Sequence, residues 1–242
     1  LLLVAKLFRM DFMGEVREYT ESPQMVYVAD SHSLAALCES WSQLDALAVD
    51  TEFMRTNTFY AKLGLLQIGD GHCSYLLDPL EIDDWAPFEA LCRAGIVEFI
   101  FHSCSEDLSV FLSHFGFVPE RLFDTQLAAG FVGYGTPSLV ALLQGEINIT
   151  PAKGDRLTDW LRRPLTENQC QYAAIDVEYL LEVHDLLGAK LEEAGRTQWA
   201  DDACEELRNR PVSGANPEDA WLRLKDSRSL RPGARAVAPS VA

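Results

Sequence analysis

Short apolar runs alternate with segments of helical periodicity between residues 25 and 115, and this alternation restricts the chain to few folds. Three of the runs follow one another with only short Gly- and Asp-containing turns between them, which predicts consecutive strands. Helical segments separate the other runs, so the pattern predicts an α/β domain with a mixed sheet. The predicted strands are "MVYV" (25–28), "ALAVDTEF" (46–53), "LGLLQIGD" (63–70), "CSYLLDP" (73–79) and "IVEFIFH" (96–102).

Helical periodicity becomes the only pattern after Arg121, so we expect a helical C-terminal half. Ser31 or Ser33 is the candidate N-cap of the first helix, and Thr166 is the expected N-cap of a long helix over 167–195. Asp124 is expected to cap the helix that follows it. The predicted helices are "LAALCESWSQL" (34–44), "DDWAPFEALCRAG" (83–95), "SEDLSVFLSHFG" (105–116), "DTQLAAGFV" (124–132), "SLVALLQG" (138–145), "TDWLRRP" (158–164), 167–195 and 197–209.

The composition favours one main domain in a reducing compartment. The chain has 242 residues, of which 48% are hydrophobic, and this suffices for one large core. Its six cysteines are widely spaced without a CxxC pair, so neither a disulfide scaffold nor a zinc ribbon is indicated. No apolar run approaches the roughly 20 residues of a membrane span, and no secretory signal pattern is present. We therefore expect a cytoplasmic protein without membrane association.

The formal net charge of -17 argues against binding of nucleic acid through a broad basic face. Neutralisation of phosphates by Lys and Arg supplies most of the affinity of such a face. A polyanion would instead have to be bound locally. A metal site made of acidic side chains could do this, because the bound cations present positive charge to phosphate.

Two carboxylates, Asp50 and Glu52, interrupt the apolar run "LAVDTEF". Residues i and i+2 of a strand point to the same side, so both carboxylates leave one face while Val49 and Thr51 leave the other. Such a pair alone could also mark a strand end that reaches solvent. If the strand is buried, unpaired charge is costly and the pair needs a partner.

Two further acidic residues lie within apolar helical patterns. Asp107 is near the start of its helix, where the helix dipole alone would favour a negative charge. Asp176 lies mid-helix with Tyr172 four residues earlier on the same face, and this polar pair requires a shared partner. Four converging carboxylates would repel one another without cations. An oxygen-only ligand set favours two hard divalent ions, Mg²⁺ or Mn²⁺.

The motifs together resemble a known family. They closely resemble ribonuclease D, in the Tyr-containing (DEDDy) branch of the DEDD 3′-5′ exonucleases, over residues 25–210. The resemblance implies a ribonuclease H-like fold with a mixed sheet flanked by helices. It also implies removal of nucleoside 5′-monophosphates from RNA 3′ ends by two-metal-ion hydrolysis, with tRNA precursors as substrates. The matching segments are "VDTEF" (49–53), "LGLLQI" (63–68), "FHSCSEDLSVF" (101–111), "FDTQLAAGFVG" (123–133) and "TDWLRRPLTENQCQYAAIDVEYLL" (158–181).

The resemblance implies a role for each motif residue. Asp50 would bridge both metal ions, and Glu52 and Asp176 would complete the site of the ion that holds the attacking water. Asp107 would support the second ion, partly through water. Tyr172 would orient the attacking water, because a phenol with an ordinary pKa near ~10 is better suited to positioning than to base catalysis at neutral pH.

Other residues are expected to contact the substrate. The resemblance implies that the backbone near Thr51 holds the terminal 3′-hydroxyl and that Phe53 packs near the last base, although Thr51 could instead face the core. His102 either contacts substrate or is a hydrogen-bonded structural histidine. Local positive charge predicts contacts with the RNA backbone, with a solvated surface as the alternative. The basic candidates are Arg55, Lys62, Lys153, Arg156, Arg162 and Arg163.

We expect three parts along the chain. Residues 1–22 are an N-terminal extension that we expect to be poorly ordered, and residues 23–210 are the 3′-5′ exonuclease domain. Residues 211–242 are expected to hold a linker and the truncated start of a helicase-and-RNase-D C-terminal (HRDC) domain. Two alternatives stay open, a DNA 3′-5′ exonuclease of the same branch and a non-catalytic RNA-binding module. No obligate protein partner is indicated.

Overall fold

A computed structural model describes residues 17–18, 24–55, 60–151 and 158–210. Apart from Arg17–Glu18, the parts of the chain predicted as the N-terminal extension and the HRDC-like region therefore lie outside the described residues. The strands are β1 (Arg17–Glu18), β2 (Met25–Val28), β3 (Ala46–Met54), β4 (Lys62–Gly69), β5 (Ser74–Leu77), β6 (Glu98–Phe101), β7 (Leu122–Asp124) and β8 (Ile149–Thr150). The helices are α1 (Ser31–Trp41), α2 (Ala86–Arg93), α3 (Ser105–His114), α4 (Thr125–Phe131), α5 (Leu139–Ile147), α6 (Glu167–Glu178), α7 (Leu180–Glu193) and α8 (Thr197–Asn209).

Six strands form one mixed sheet in the order β2-β5-β4-β3-β6-β7. Strands β3, β4 and β5 pair antiparallel, as their short connections require, whereas β2, β6 and β7 pair parallel with their neighbours. Strand β3 lies near the centre and is the longest, with Asp50 opposite Gln67 and Glu52 opposite Leu65. The predicted α/β mixed sheet is confirmed.

The alternation of side chains along β3 divides the core into two layers. Val49 packs into a cluster with residues of α1, α2 and α3, whereas Ala48 packs with residues of α4 and α7 on the other face. Helix α6 covers β3, β4 and β5 on this second face. The described residues contain no helix with the length and apolar character needed to cross a bilayer.

Four local predictions are wrong, and each has a physical reason. Asp30, not Ser31 or Ser33, is the N-cap of α1, since its carboxylate accepts a hydrogen bond from the Ser33 backbone at 2.8 Å. Helix is not the only structure after Arg121, because β7 pairs with β6 and β8 with β1. Strands of two or three residues are too short to show a period.

The other two wrong predictions concern the segment before α6 and the C-terminal end of α6. Residues 158–164 form turns rather than a helix. The Arg163 side chain bonds backbone carbonyls and a carboxylate, and these contacts hold the segment in its turn conformation. The long helix predicted over 167–195 is two helices that meet at Tyr179, whose backbone leaves helical geometry with φ -105° and ψ 1°. The break allows α6 to cover the β3-β4-β5 part of the sheet while α7 packs on α4 and α5.

Candidate active site

Three of the four predicted carboxylates meet on the face of the sheet that α6 covers. Asp50 and Glu52 extend from the same side of β3, and Asp176 extends from α6 above them. One ligand oxygen from each of Asp50, Glu52 and Asp176 lies within 4.8 Å of the others. The structure thus brings together residues that lie more than 120 positions apart in sequence.

The fourth carboxylate arrives from the opposite layer of the fold. Asp107 is in the first turn of α3, which packs against β3 and β4 on the other face, and its side chain is buried. Thr51, between Asp50 and Glu52 on the strand, donates a hydrogen bond from its hydroxyl to Asp107 Oδ1. Asp107 nevertheless lines the same cleft as the other three carboxylates. Residues from both layers of the fold therefore form the site.

Burial and mutual repulsion raise the pKa values of the central carboxyls. The pKa of Asp50 is well above its usual range because burial penalises its charge and because Asp107, Asp176 and Glu52 are nearby anions. Burial also raises the pKa of Asp107 to about 6, although the Thr51 hydrogen bond opposes the rise. A site that holds its carboxylates at this electrostatic cost is expected to bind a cation.

The donor set fits hard divalent cations. The converging side chains offer only carboxylate oxygens, and this is the chemistry that Mg²⁺ and Mn²⁺ prefer. Asp50, Glu52 and Asp176 form the group within the described residues whose oxygens are close enough to hold one ion. Asp107 is outside that group and could only contribute to a neighbouring position.

Tyr172 lines the same cleft as the carboxylates. It precedes Asp176 by four residues on α6, so the phenol and the carboxylate lie on one helix face, as predicted. The cleft has a volume of about 400 Å³. This is room for a group the size of a terminal nucleotide, in contact with both the phenol and Asp50.

Asp124 fixes the turn that leads into the Asp107 helix. Its buried carboxylate caps α4 through the Gln126 backbone at 2.8 Å, which confirms the predicted cap. The same carboxylate accepts bonds from the backbone of Ser103 at 3.1 Å and Cys104 at 2.8 Å. Ser103 has a φ of 61°, which is rare for a residue with a side chain and here directs the chain from β6 into α3.

Three of the residues predicted to contact substrate line the cleft. Phe53 and His102 line the cleft, and so does Thr51, whose hydroxyl is bonded to Asp107. His102 Nδ1 lies 2.9 Å from the Thr125 hydroxyl and Nε2 lies 3.2 Å from the Pro137 carbonyl, so this histidine ties two segments of the cleft wall together.

Two of the predicted basic contacts, Arg55 and Arg163, are paired with acidic side chains. Arg55 forms a 2.8 Å ion pair with Glu106, next to Asp107 in sequence, and both side chains are exposed. Arg163 is bonded to the buried Asp78, so its guanidinium is already paired within the fold. Lys153 and Arg156 lie outside the described residues.

Sequence reasoning missed several residues of the cleft wall. They lie in the β6-α3 turn, in α4, at the start of α5 and in α7. The apolar periodicity of such elements indicates which side chains pack in the core, but it does not indicate which side chains line a cavity. Only Ser138 carried a signal, as the N-cap of α5, where its hydroxyl accepts a bond from the Ala141 backbone. The residues are Ser103, Gln126, Ser138, Leu139 and Leu180.

Comparison with known proteins agrees with this geometry. Ribonuclease D of Escherichia coli K12 is 43% identical over 212 residues, which cover 86% of this chain and 55% of that protein. The crystal structure of Escherichia coli RNase D, an exoribonuclease involved in structured RNA processing, matches with a TM-score of 0.81 at 40% identity. That match covers 86% of this chain and 56% of the other, so the chain spans just over half the length of these relatives.

A more distant structure shares the fold over most of its own chain. Brucella melitensis NrnC with bound Mg²⁺ matches with a TM-score of 0.66 at 25% identity, covering 78% of this chain and 90% of that chain. The predicted resemblance to ribonuclease D and the predicted ribonuclease H-like fold are thus confirmed. A family model described as 3′-5′ exonuclease matches residues 25–192, a range that includes all four carboxylates and Tyr172. The chain therefore belongs to the 3′-5′ exonuclease family.

Proposed function

We propose that the chain is a metal-dependent 3′-5′ exoribonuclease. The observation that carries the proposal is the convergence of Asp50, Glu52 and Asp176 within 4.8 Å, beside Asp107 and Tyr172 in one cleft. The reaction adds water to the phosphorus of the last phosphodiester and breaks its bond to the 3′ oxygen. The products are a nucleoside 5′-monophosphate and an RNA shortened by one nucleotide that ends in a 3′-hydroxyl.

We propose two divalent ions, Mg²⁺ or Mn²⁺, as the cofactor. Asp50, Glu52 and Asp176 would hold one ion, and Asp50 and Asp107 would hold the other. Support comes from the oxygen-only donor set and from Mg²⁺ bound to the similar NrnC protein. Bound in this way, the ions would lower the pKa of water and neutralise the charge that develops on the leaving oxygen.

The residues of the chain itself would orient the substrate and the water. The Tyr172 phenol would hold the attacking water by a hydrogen bond. Phe53 would pack against the terminal base, and the backbone at Thr51 would bind the 3′-hydroxyl. Arg55, Lys153 and Arg156 would contact the RNA backbone.

We further propose that tRNA precursors are the physiological substrate and that residues 23–210 form the catalytic domain. The similarity to ribonuclease D supports both statements. The six cysteines are unpaired in the structure, which suits a reducing compartment, and we place the enzyme in the cytoplasm. Residues 211–242 would hold a linker and the start of an HRDC-like domain, and an obligate protein partner is not part of the proposal.

Matched RNA and DNA oligonucleotides labelled at the 5′ end would test the activity. We expect the RNA to shorten in steps of one nucleotide, with 5′-monophosphates released, and the DNA to be degraded more slowly. Chelator should stop the reaction, and Mn²⁺ or Mg²⁺ should restore it. Faster degradation of DNA would favour a DNA exonuclease, and binding of RNA without cleavage under all metal conditions would favour a non-catalytic module.

A further inference from the structure

A buried ion pair joins the segment before α6 to the residue that follows β5. Asp78, which directly follows β5, is 1% exposed and accepts two hydrogen bonds from Arg163, from Nε and Nη2, both at 2.6 Å. The hydroxyl of Tyr27 on β2 also donates to Asp78. A bidentate pair of this kind fixes both the distance and the orientation of the arginine.

The same arginine holds the backbone around it. Arg163 Nη2 donates to the Gly64 carbonyl on β4 at 2.7 Å, and Nη1 donates to the Trp160 carbonyl at 2.8 Å. The contact between Gly64 and Trp160 is close, because a Cβ built on Gly64 would lie 2.7 Å from both the carbonyl oxygen and the Cβ of Trp160. The segment around Trp160 is therefore seated directly on β4.

This arrangement places the Trp160 ring against Tyr172. Trp160 is 1% exposed, and its ring centroid lies 6.2 Å from that of Tyr172 with the planes tilted by 38°. The indole packs in a small core cluster with Leu65, which is opposite Glu52 on the neighbouring strand. Trp160 thus contacts both the helix that carries the phenol and the strand next to the carboxylates.

The energetics argue against a purely space-filling role. The buried Asp78–Arg163 pair costs desolvation energy that apolar side chains would avoid. Among the described residues the Trp160 Nε1 hydrogen also has no acceptor, a further cost that Phe or Leu would not carry. A phenol that orients a water must be held within about half an ångström, and a large rigid ring supported on several sides provides this.

We propose that Trp160 is a positioning residue for Tyr172 and that the Asp78–Arg163 pair holds Trp160 in place for this purpose. The inference rests on the proposed function and deepens it, since it adds a support for the residue that orients the attacking water. The same segment also leads into the Thr166 cap of α6, whose capping box sets where the helix begins. Two features therefore fix the position of Tyr172: the Trp160 ring and the Thr166 cap of α6.

Kinetics in two backgrounds would test this inference. We expect Trp160→Leu to lower kcat about tenfold or more with KM changed less than threefold, and Trp160→Phe to recover most of the loss. In a Tyr172→Phe background the same Trp160→Leu change should alter kcat less than twofold, because its effect acts through the phenol. Equal losses in the two backgrounds would overturn the proposal.

A second readout does not depend on activity. Protein labelled with 3-fluorotyrosine gives a ¹⁹F signal for Tyr172 that is assigned by its loss in Tyr172→Phe. In metal-free protein we expect Asp78→Asn and Arg163→Met, neither of which alters Tyr172 or the Trp160 ring, to shift or broaden that signal. Arg208→Met removes an exposed bidentate pair with Glu205 on α8 and is the matched control, which should leave the signal unchanged.

The two readouts separate failure of the inference from failure of the proposed function. If the wild-type chain cleaves no RNA, the fluorine signal still reports whether the Asp78–Arg163 pair positions Tyr172. An unchanged Tyr172 signal in folded Asp78→Asn and Arg163→Met proteins would overturn the inference, whatever the activity. Folding of each variant is checked by its thermal unfolding midpoint.

Discussion

Thr51 and Asp107 are joined by a hydrogen bond that crosses from β3 to α3. Thr51 stands between the two carboxylates of β3 but points to the opposite face of the sheet. The bond therefore ties the one carboxylate that comes from the other layer to the strand that carries Asp50 and Glu52. The four acidic residues are one unit because this bond fixes the fourth member.

Replacing Thr51 by Val removes that bond with little change in shape. The Thr51 hydroxyl lowers the pKa of Asp107, which burial raises to about 6, so its loss should raise this pKa further. We expect Thr51→Val to need more Mn²⁺ for half-maximal activity, with a larger deficit at pH 6.5 than at pH 8. Thr51→Ser should behave like wild type. A metal requirement equal to that of wild type at both pH values would contradict the role given to this bond.

Neutralising a carboxylate of the β3–α6 group should abolish hydrolysis without unfolding the protein. We expect Asp50→Asn or Asp176→Asn to lower kcat by at least about 10³-fold, because each removes one of three convergent ligand oxygens. RNA binding, measured by fluorescence anisotropy, should persist. Asp185→Asn, on the outer surface of α7, is the matched control. Wild-type turnover by either of the two cleft variants would remove the site assignment.

The metal-free protein should become more stable when Asp107 is replaced by Asn. A carboxyl whose folded pKa is raised favours folding below its unfolded pKa of 3.8, and this contribution is lost as pH rises to about 6 and beyond. At pH 8 in chelator, we expect Asp107→Asn to raise the free energy of unfolding by up to about 3 kcal/mol. The gain should vanish near pH 4, as measured by urea denaturation. An equal gain at both pH values would show that its origin is not the charge.

Asp124 should be more important for stability than an ordinary helix cap. Its carboxylate accepts bonds from the backbone of the β6-α3 turn as well as from α4, so Asp124→Ala leaves several buried donors unpaired. We expect a loss of about 3 kcal/mol and reduced activity through displacement of Asp107. Asp30→Ala, which removes an exposed cap of α1, is the control and should cost about 1 kcal/mol. Similar losses for the two variants would contradict this account.

The sequence predicted the β3–α6 part of the site because its residues follow fixed local periods. Asp50 and Glu52 share a strand face at a spacing of two, and Tyr172 and Asp176 share a helix face at a spacing of four. That these two faces meet was predicted only through the resemblance to ribonuclease D. No local period specifies which helix covers which strand.

What the sequence could not show depends on contacts between distant segments. Arg163 resembled a surface cation in a basic stretch, yet its partner Asp78 is 85 positions earlier in the chain and buried. The helix break at Tyr179 likewise has no Gly or Pro to mark it, and packing of α6 and α7 on different parts of the fold accompanies it. The local signal for a helix over 158–164 was overridden by the Arg163 contacts.

Anomalous diffraction from a crystal soaked in Mn²⁺ tests the central claim most directly. The account predicts two anomalous peaks in the cleft, one among the oxygens of Asp50, Glu52 and Asp176 and one between Asp50 and Asp107. Both peaks should be lost from Asp50→Asn crystals soaked in the same way. A wild-type cleft without manganese, in crystals where Mn²⁺ reaches the solvent channels freely, would contradict the account.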